Sequence, residues 1–230
     1  MEKTSVFNLI ILDESGSMRD ATKATISGCN EVINVAKSLQ EEHADTQRSF
    51  VSIYAFQSGN RNRPSRYICK NVPAAEAHSI TLKDYEPWGA TPLYDAIGAT
   101  LVDLKAIAET HEDATAVVTI ITDGYENDSC YYTLGKVAKL ISQLKELGWT
   151  FNFIGANIDV NKVSAALKID NAMTFDNTEL GTIDMFDKFT NSMRDYEQER
   201  IRCEAAMPAA SVEDRRNARK VRAKRGFFKK

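Results

Sequence analysis

No stretch of this chain stays apolar for the roughly 20 residues that a membrane-crossing helix requires. Histidine and cysteine are sparse and scattered: His43, His78 and His111 stand alone, and Cys29, Cys69, Cys130 and Cys203 include no C-x-x-C pair. The clustered thiolates or imidazoles of a zinc site are therefore missing. A disulfide framework is not needed either, because 230 residues that are 43% hydrophobic can bury one good core unaided. Free thiols are expected. The chain has no G-x-x-x-x-G-K-[ST] loop and no G-x-G-x-x-G after its first apolar run, so the usual phosphate-cradling loops are absent. The amino-terminal MEKTSVFNLIILDE has one lysine and an apolar run that ends in acids, without a signal-peptide cleavage pattern. An intracellular, cytoplasmic protein is the expectation.

Charge is unevenly spread. The net −3 combines an acidic body with a basic end: Pro208 to Lys230 holds nine Lys or Arg against two acids. The end, SVEDRRNARKVRAKRGFFKK, reads as a solvated tail. Two other readings stay open for it. One is an anionic partner (nucleic acid, an acidic protein, or a membrane surface anchored by Phe227 and Phe228); the other is docking against the acidic body. On the tail reading, removing 211–230 leaves the fold intact.

Apolar runs of strand length alternate with segments of helical period. SVFNLIIL (5–12), SFVSIYAF (49–56), TAVVTIIT (115–122) and TFNFIGA (150–156) read as strands, with a further one near 172–175. Ile26, Cys29, Ile33 and Ala36 share one helical face; Leu93, Ile97, Leu101 and Leu104 share another, and Leu134, Val137, Ile141 and Leu144 a third. Gly148 stands where a left-handed helix stop belongs. A short helix around 160–167 and a last one from about 182 to 203 complete the pattern. This alternation predicts an α/β, doubly wound, mainly parallel sheet with helices on both faces. RYICKNV (66–72) follows its predecessor after only a short turn-rich segment, so one antiparallel edge strand is expected.

Ligands of such sheets bind beyond the carboxyl ends of the strands, where strand order reverses. ILDESGSMRD places Asp13, Ser15 and Ser17 at alternate positions past one such end, and VVTIITDGYEN places Asp123 at another. Two unpaired aspartates on adjacent strands repel and raise each other's pKa; a cation between them removes the conflict. Hydroxyls and carboxylates are hard ligands, which favours magnesium, manganese or calcium at a single site. PWGATPLYDAI supplies Thr91, expected as the N-cap of the following helix.

Together these segments resemble the metal-ion-dependent adhesion site (MIDAS) of von Willebrand factor type A (vWA) domains. Asp13-Glu14-Ser15-Gly16-Ser17 matches D-x-S-x-S, the G-x-T-P-L loop holds Thr91, and T-D-G holds Asp123, all in the family's order. The resemblance in element order runs from about Ser5 to about Tyr196. It implies a vWA-like domain over 1–200; the remaining 201–230 is expected, from its charge, to be a basic extension that is partly disordered. It implies that Ser15, Ser17 and Thr91 touch the metal directly, with Asp13 and Asp123 acting mostly through water. It also implies a protein partner that offers an Asp or Glu to the metal, and an intracellular scaffold or regulatory role rather than catalysis.

A magnesium-dependent phosphoryl-transfer hydrolase is the alternative, since such enzymes also use strand-end aspartates. They require a second acid two residues after the first, and here Ser15 holds that place. Several neighbours have plainer readings. Glu14 is expected to face solvent or a neighbouring contact, and the arginines of QSGNRNRPSR to be solvated. Trp88 is read as a packed loop anchor, Tyr125, Asn127 and Asp128 as a rim loop, and Tyr94 and Asp95 as packing and helix-dipole complement.

Overall fold

The computed structural model describes residues 3–60, 62–207, 210–223 and 226–228. Strand β1 (Thr4–Asp13) is buried along its whole length, as a nearly unbroken apolar run requires when both sheet faces are covered. Its side chains alternate: Ile10 and Leu12 enter one core, and Phe7, Leu9 and Ile11 the other. Helix α1 (Thr22–Glu42) leads to β2 (Gln47–Phe56), which turns directly into β3 (Arg66–Pro73). Then come α2 (Leu93–Ala108), β4 (Ala114–Thr122), α3 (Leu134–Lys145), β5 (Thr150–Gly155), α4 (Val160–Ala166), β6 (Asn171–Thr174), α5 (Glu179–Ala205) and α6 (Val212–Ala223).

The sheet order is β3-β2-β1-β4-β5-β6, parallel throughout except for the antiparallel edge strand β3. The predicted α/β class and edge strand are what the structure has. Helices α1 and α5 cover one face, with Cys29, Ile33, Phe186 and Phe189 in the shared core. They approach closely at Gly28, where an added Cβ would meet the Phe186 ring. Helices α2, α3 and α4 cover the other face through Ile97, Leu101, Ile141, Leu144 and Val160. Gly148 adopts φ +84° after α3, the left-handed stop expected there. All four cysteines are free. No helix among the described residues is long and apolar enough to cross a membrane.

The carboxyl end departs from the expectation of a solvated tail. Helix α5 crosses residue 200 without a break, and α6 returns along the base of the sheet. Arg219 is almost fully buried there. Its guanidinium bonds both Asp113 oxygens at 2.6 and 3.0 Å, Glu204 Oε1 at 2.7 Å and Thr4 Oγ1 at 3.1 Å. Arg215 adds a 2.9 Å bond to Asp113, and Arg216, Lys220 and Arg222 pair with Glu213, Glu146 and Glu199. Phe227 is no membrane anchor: it is buried against Phe189 and Tyr196, with Phe228 edge-on to it. The reason is charge economy. The body supplies Asp113, Glu146, Glu199 and Glu204, and among the described residues the extension's Arg215, Arg219, Lys220 and Arg222 pair with them. Lys224, Arg225, Lys229 and Lys230 lie outside the described residues.

Candidate metal centre

β1 and β4 are neighbours at the centre of the sheet, with β2 beyond one and β5 beyond the other. Strand order reverses between them, so the loops after Asp13 and Thr122 open a crevice at that point. The loop after β1 is shaped by its own aspartate. Ser15 N–H donates to Asp13 Oδ1 at 2.7 Å, an Asx-type turn that redirects the chain into a 3-10 turn over Gly16–Ala21. The other Asp13 oxygen accepts from Thr122 Oγ1 at 2.6 Å, and the Asp13 carbonyl accepts from the buried Tyr85 hydroxyl at 2.6 Å. Asp13 is thus held from three sides.

The hydroxyls link the two aspartates. Ser15 Oγ and Ser17 Oγ lie 3.1 Å apart, and Ser17 Oγ donates to Asp123 Oδ1 at 2.7 Å. Asp13 and Asp123 are both buried, while Ser17 is exposed at the mouth. Burial pushes the Asp13 carboxyl up to about 6, against the bonds from Thr122 and Ser15, and Asp123 adds its repulsion. Burial likewise raises Asp123, against the Ser17 bond. Among the described residues no Lys, Arg or His side chain pairs with either carboxylate.

Thr91 joins from the third segment. Gly16 N–H donates to the Gly89 carbonyl at 3.1 Å, bringing the 88–91 loop onto the β1 loop. Gly89 has φ +74°, and an added Cβ would fall 1.6 Å from the Ser58 carbonyl oxygen, so only glycine fits this crossing. Thr91 is buried, its Oγ1 lies 3.4 Å from where a Cβ on Gly124 would stand, and Asn127 Oδ1 accepts from Thr91 N–H at 2.8 Å. Hydrogen bonds thus link Asp13, Ser15, Ser17 and Asp123, and the Thr91 side chain stands beside Gly124, the residue after Asp123. One detail is corrected: α2 begins at Leu93 with Pro92 as its N-cap residue, so the Thr91 hydroxyl is not spent on capping.

Glu14 takes the neighbouring-contact role. It is fully buried, with Arg66 Nη1 and Nη2 at 2.6 and 3.1 Å, Arg63 Nε at 3.4 Å and Glu86 N–H at 2.7 Å. Its carbonyl accepts from Trp88 N–H at 2.8 Å. Arg63 and Arg66 are accordingly paired and only partly exposed rather than free in solvent, and Arg61 lies outside the described residues. Trp88 is 52% exposed with the Arg19 guanidinium 5.7 Å over its ring, which makes it a rim residue rather than a packed anchor. Asp95 binds the rim loop directly, accepting from the backbone of Cys130, Tyr131 and Tyr132.

The sequence reading missed Asn177. It stands between β6 and α5, and its Nδ2 donates to Asp123 Oδ2 at 2.7 Å and to the Ser17 carbonyl at 3.3 Å. Its Oδ1 is buried without a hydrogen-bond partner. Such an oxygen costs about 1–3 kcal/mol. The reverse amide orientation would aim Oδ1 at the Asp123 carboxylate, so the chemistry fixes the assignment. The sequence signal was the polar trio Asp176-Asn177-Thr178, which reads as a helix start; Thr178 is indeed the N-cap of α5.

The donor set fits a hard dication. It is all oxygen, contains two buried carboxylates without a cation, and leaves one buried amide oxygen unused. It is not a carboxylate cage: no group of three or more His, Cys, Asp or Glu among the described residues could hold a metal.

A scan of protein-family models and a search of curated sequences find no match to this chain. Solved structures are similar in fold. The pilus adhesin SpaC of Lactobacillus rhamnosus GG, in an open conformation, aligns with TM-score 0.61 and 13% identity, over 84% of this chain and 30% of that one. Proximal thread matrix protein 1 of the mussel byssus, with a zinc-occupied MIDAS motif, aligns with TM-score 0.59 and 13% identity, over 80% and 47%. A von Willebrand factor type A from Catenulispora acidiphila aligns with TM-score 0.52 and 18% identity, over 83% and 43%. The chain spans less than two thirds of the length of each. The fold is vWA-like.

Proposed function

We propose that this chain is a divalent-metal-dependent protein-binding module. Ser15, Ser17 and Thr91 with Asp13 and Asp123 hold one hard dication, magnesium first, with manganese or calcium as alternatives. When bound, the cation supplies an electrophilic centre, under-neutralised by its hydroxyl ligands, for an Asp or Glu of a partner protein. The observation that carries this reading is the pair of buried strand-end carboxylates, joined through Ser17 and Ser15 and without a basic partner among the described residues. The rim supports a protein partner. Trp88, Tyr125 and Leu180 are each large, apolar and more than half exposed, and each is within three residues of Thr91, Asp123 or Asn177. Exposed apolar side chains around a polar centre are the anatomy of a recognition surface.

Binding is favoured over phosphoryl transfer because Ser15 stands where the hydrolases need a second acid. An intracellular scaffold or regulatory role accompanies the proposal, supported by four free cysteines. An anionic partner for the extension is not adopted, since Arg215, Arg216, Arg219, Lys220 and Arg222 are paired internally.

Peptide display against the immobilised protein in magnesium tests the reading. Enriched peptides should share an Asp or Glu and leave on chelation. Enrichment indifferent to chelator and lacking an acid contradicts it, as does magnesium-dependent cleavage of an aryl phosphate that Asp13→Asn abolishes.

A further inference from the structure

We infer that Asn177 is a sixth residue of the metal centre, one that lies outside the five-residue motif. The inference rests on the reading of the crevice as a hard-cation site. Three observations carry it. The Asn177 amide is anchored by its own donor, with Nδ2 on Asp123 Oδ2 at 2.7 Å and on the Ser17 carbonyl at 3.3 Å. Both residues it grips belong to the proposed donor set, one from each of the two central loops. Its remaining side-chain polar atom, Oδ1, is buried and has no protein partner.

The unpartnered Oδ1 is the acceptor left over once Nδ2 is engaged by Asp123 and the Ser17 carbonyl. A water bound to a dication is a strong donor, and an amide oxygen is a hard acceptor suited to it. Asn177 therefore has two functions at the centre. Its N–H group holds Asp123 in orientation, which leaves Oδ1 of that carboxylate to Ser17. Its oxygen accepts from the water shell of a hard divalent cation. This is the outer-shell role in which a partner orients a ligand and completes the hydrogen bonding around the ion.

The test compares wild type, Asn177→Ala and Thr178→Ala by manganese titration, with the melting temperature of each read with and without the ion. Thr178 Oγ1 caps α5 by accepting from Gly181 N–H at 3.0 Å, so Thr178→Ala loosens the same segment without touching the crevice. Asn177→Ala should weaken manganese binding about 10–100-fold and shrink the metal-induced rise in melting temperature, while Thr178→Ala leaves affinity within about twofold of wild type. If both variants lose affinity alike, or if Asn177→Ala binds as wild type does, Asn177 is a tether and the inference is overturned. If Asn177→Ala gives no cooperative melt, Asn177→Thr carries the same comparison, its side chain too short to span to Asp123. Failure of wild type to bind any hard dication removes the underlying reading instead, so the two failures are distinguishable.

Discussion

At the scale of single residues, the sequence exposed the oxygen donors but not their supports. Asp13, Ser15, Ser17, Thr91 and Asp123, the proposed donors, could be picked out from their spacing past strand ends and before a helix. Glu14 and Asn177 could not, because their roles depend on partners far away in the chain. Glu14 is 52 residues from Arg66 and 72 from Glu86. No local pattern links them, yet the pair fixes the β1 loop to the segment that carries Trp88 and Thr91. Glu14→Gln keeps the shape of the side chain but leaves Arg66 without its counter-charge, while Arg63 keeps its pair with Glu86. Because Arg63 and Arg66 are partly exposed, the expected loss is about 2–3 kcal/mol, below the range for a fully buried pair. Urea unfolding would show it as a lower midpoint at unchanged slope; a midpoint equal to wild type would mean that the clamp contributes nothing.

At the scale of elements, the strands and the helices up to α5 were placed by apolar runs, helical period and connection length, with α5 beginning at Glu179 rather than near 182. β1 and β4 appear as near-continuous apolar runs, and α1, α2 and α3 by residues three and four apart. Helix α6 was obscured by its charge. Its start was written as a capping pair, Ser211 with Asp214, which exchange bonds of 2.7 and 3.1 Å. Its buried face, however, is made of arginine rather than leucine, which no hydrophobic pattern marks. Arg219→Ala leaves Asp113 buried without its main partner and should cost about 3–5 kcal/mol, and removing 211–230 should lower the melting temperature clearly. The acid side gives a second readout. Burial alone would raise Asp113, but the bonds and charge of Arg219, with Thr4 and Arg215, hold it near 2 against an ordinary 3.8. The folded state thus binds fewer protons than the unfolded between those values. The contribution of Asp113 is complete above about pH 5 and fades as pH falls toward 2. In Arg219→Ala that acid-side decline should flatten; an unchanged profile, or a truncated chain as stable as wild type, would show α6 to be an ornament.

At the scale of the whole molecule, the sheet order places everything that matters. With β1 and β4 side by side at the centre, the loops after Asp13 and Thr122 lie together at the top, and Arg219 of α6 is pinned at the base to Asp113 and to Glu204 of α5. Alternating strand and helix patterns made the parallel sheet predictable, and the short β2–β3 connection made its antiparallel edge predictable. That α6 docks on the body was only one of several open readings of the sequence, because ion pairs between distant segments leave no periodic trace. The proposed function depends on the top crevice accepting a hard dication. Calorimetric titration of magnesium, manganese and calcium into wild type and into Asp13→Asn, each confirmed folded by circular dichroism, tests this most directly. One site with measurable heat for at least one ion in wild type, lost or strongly weakened in Asp13→Asn, is the predicted result; no heat from all three, or equal binding by the two proteins, would contradict it.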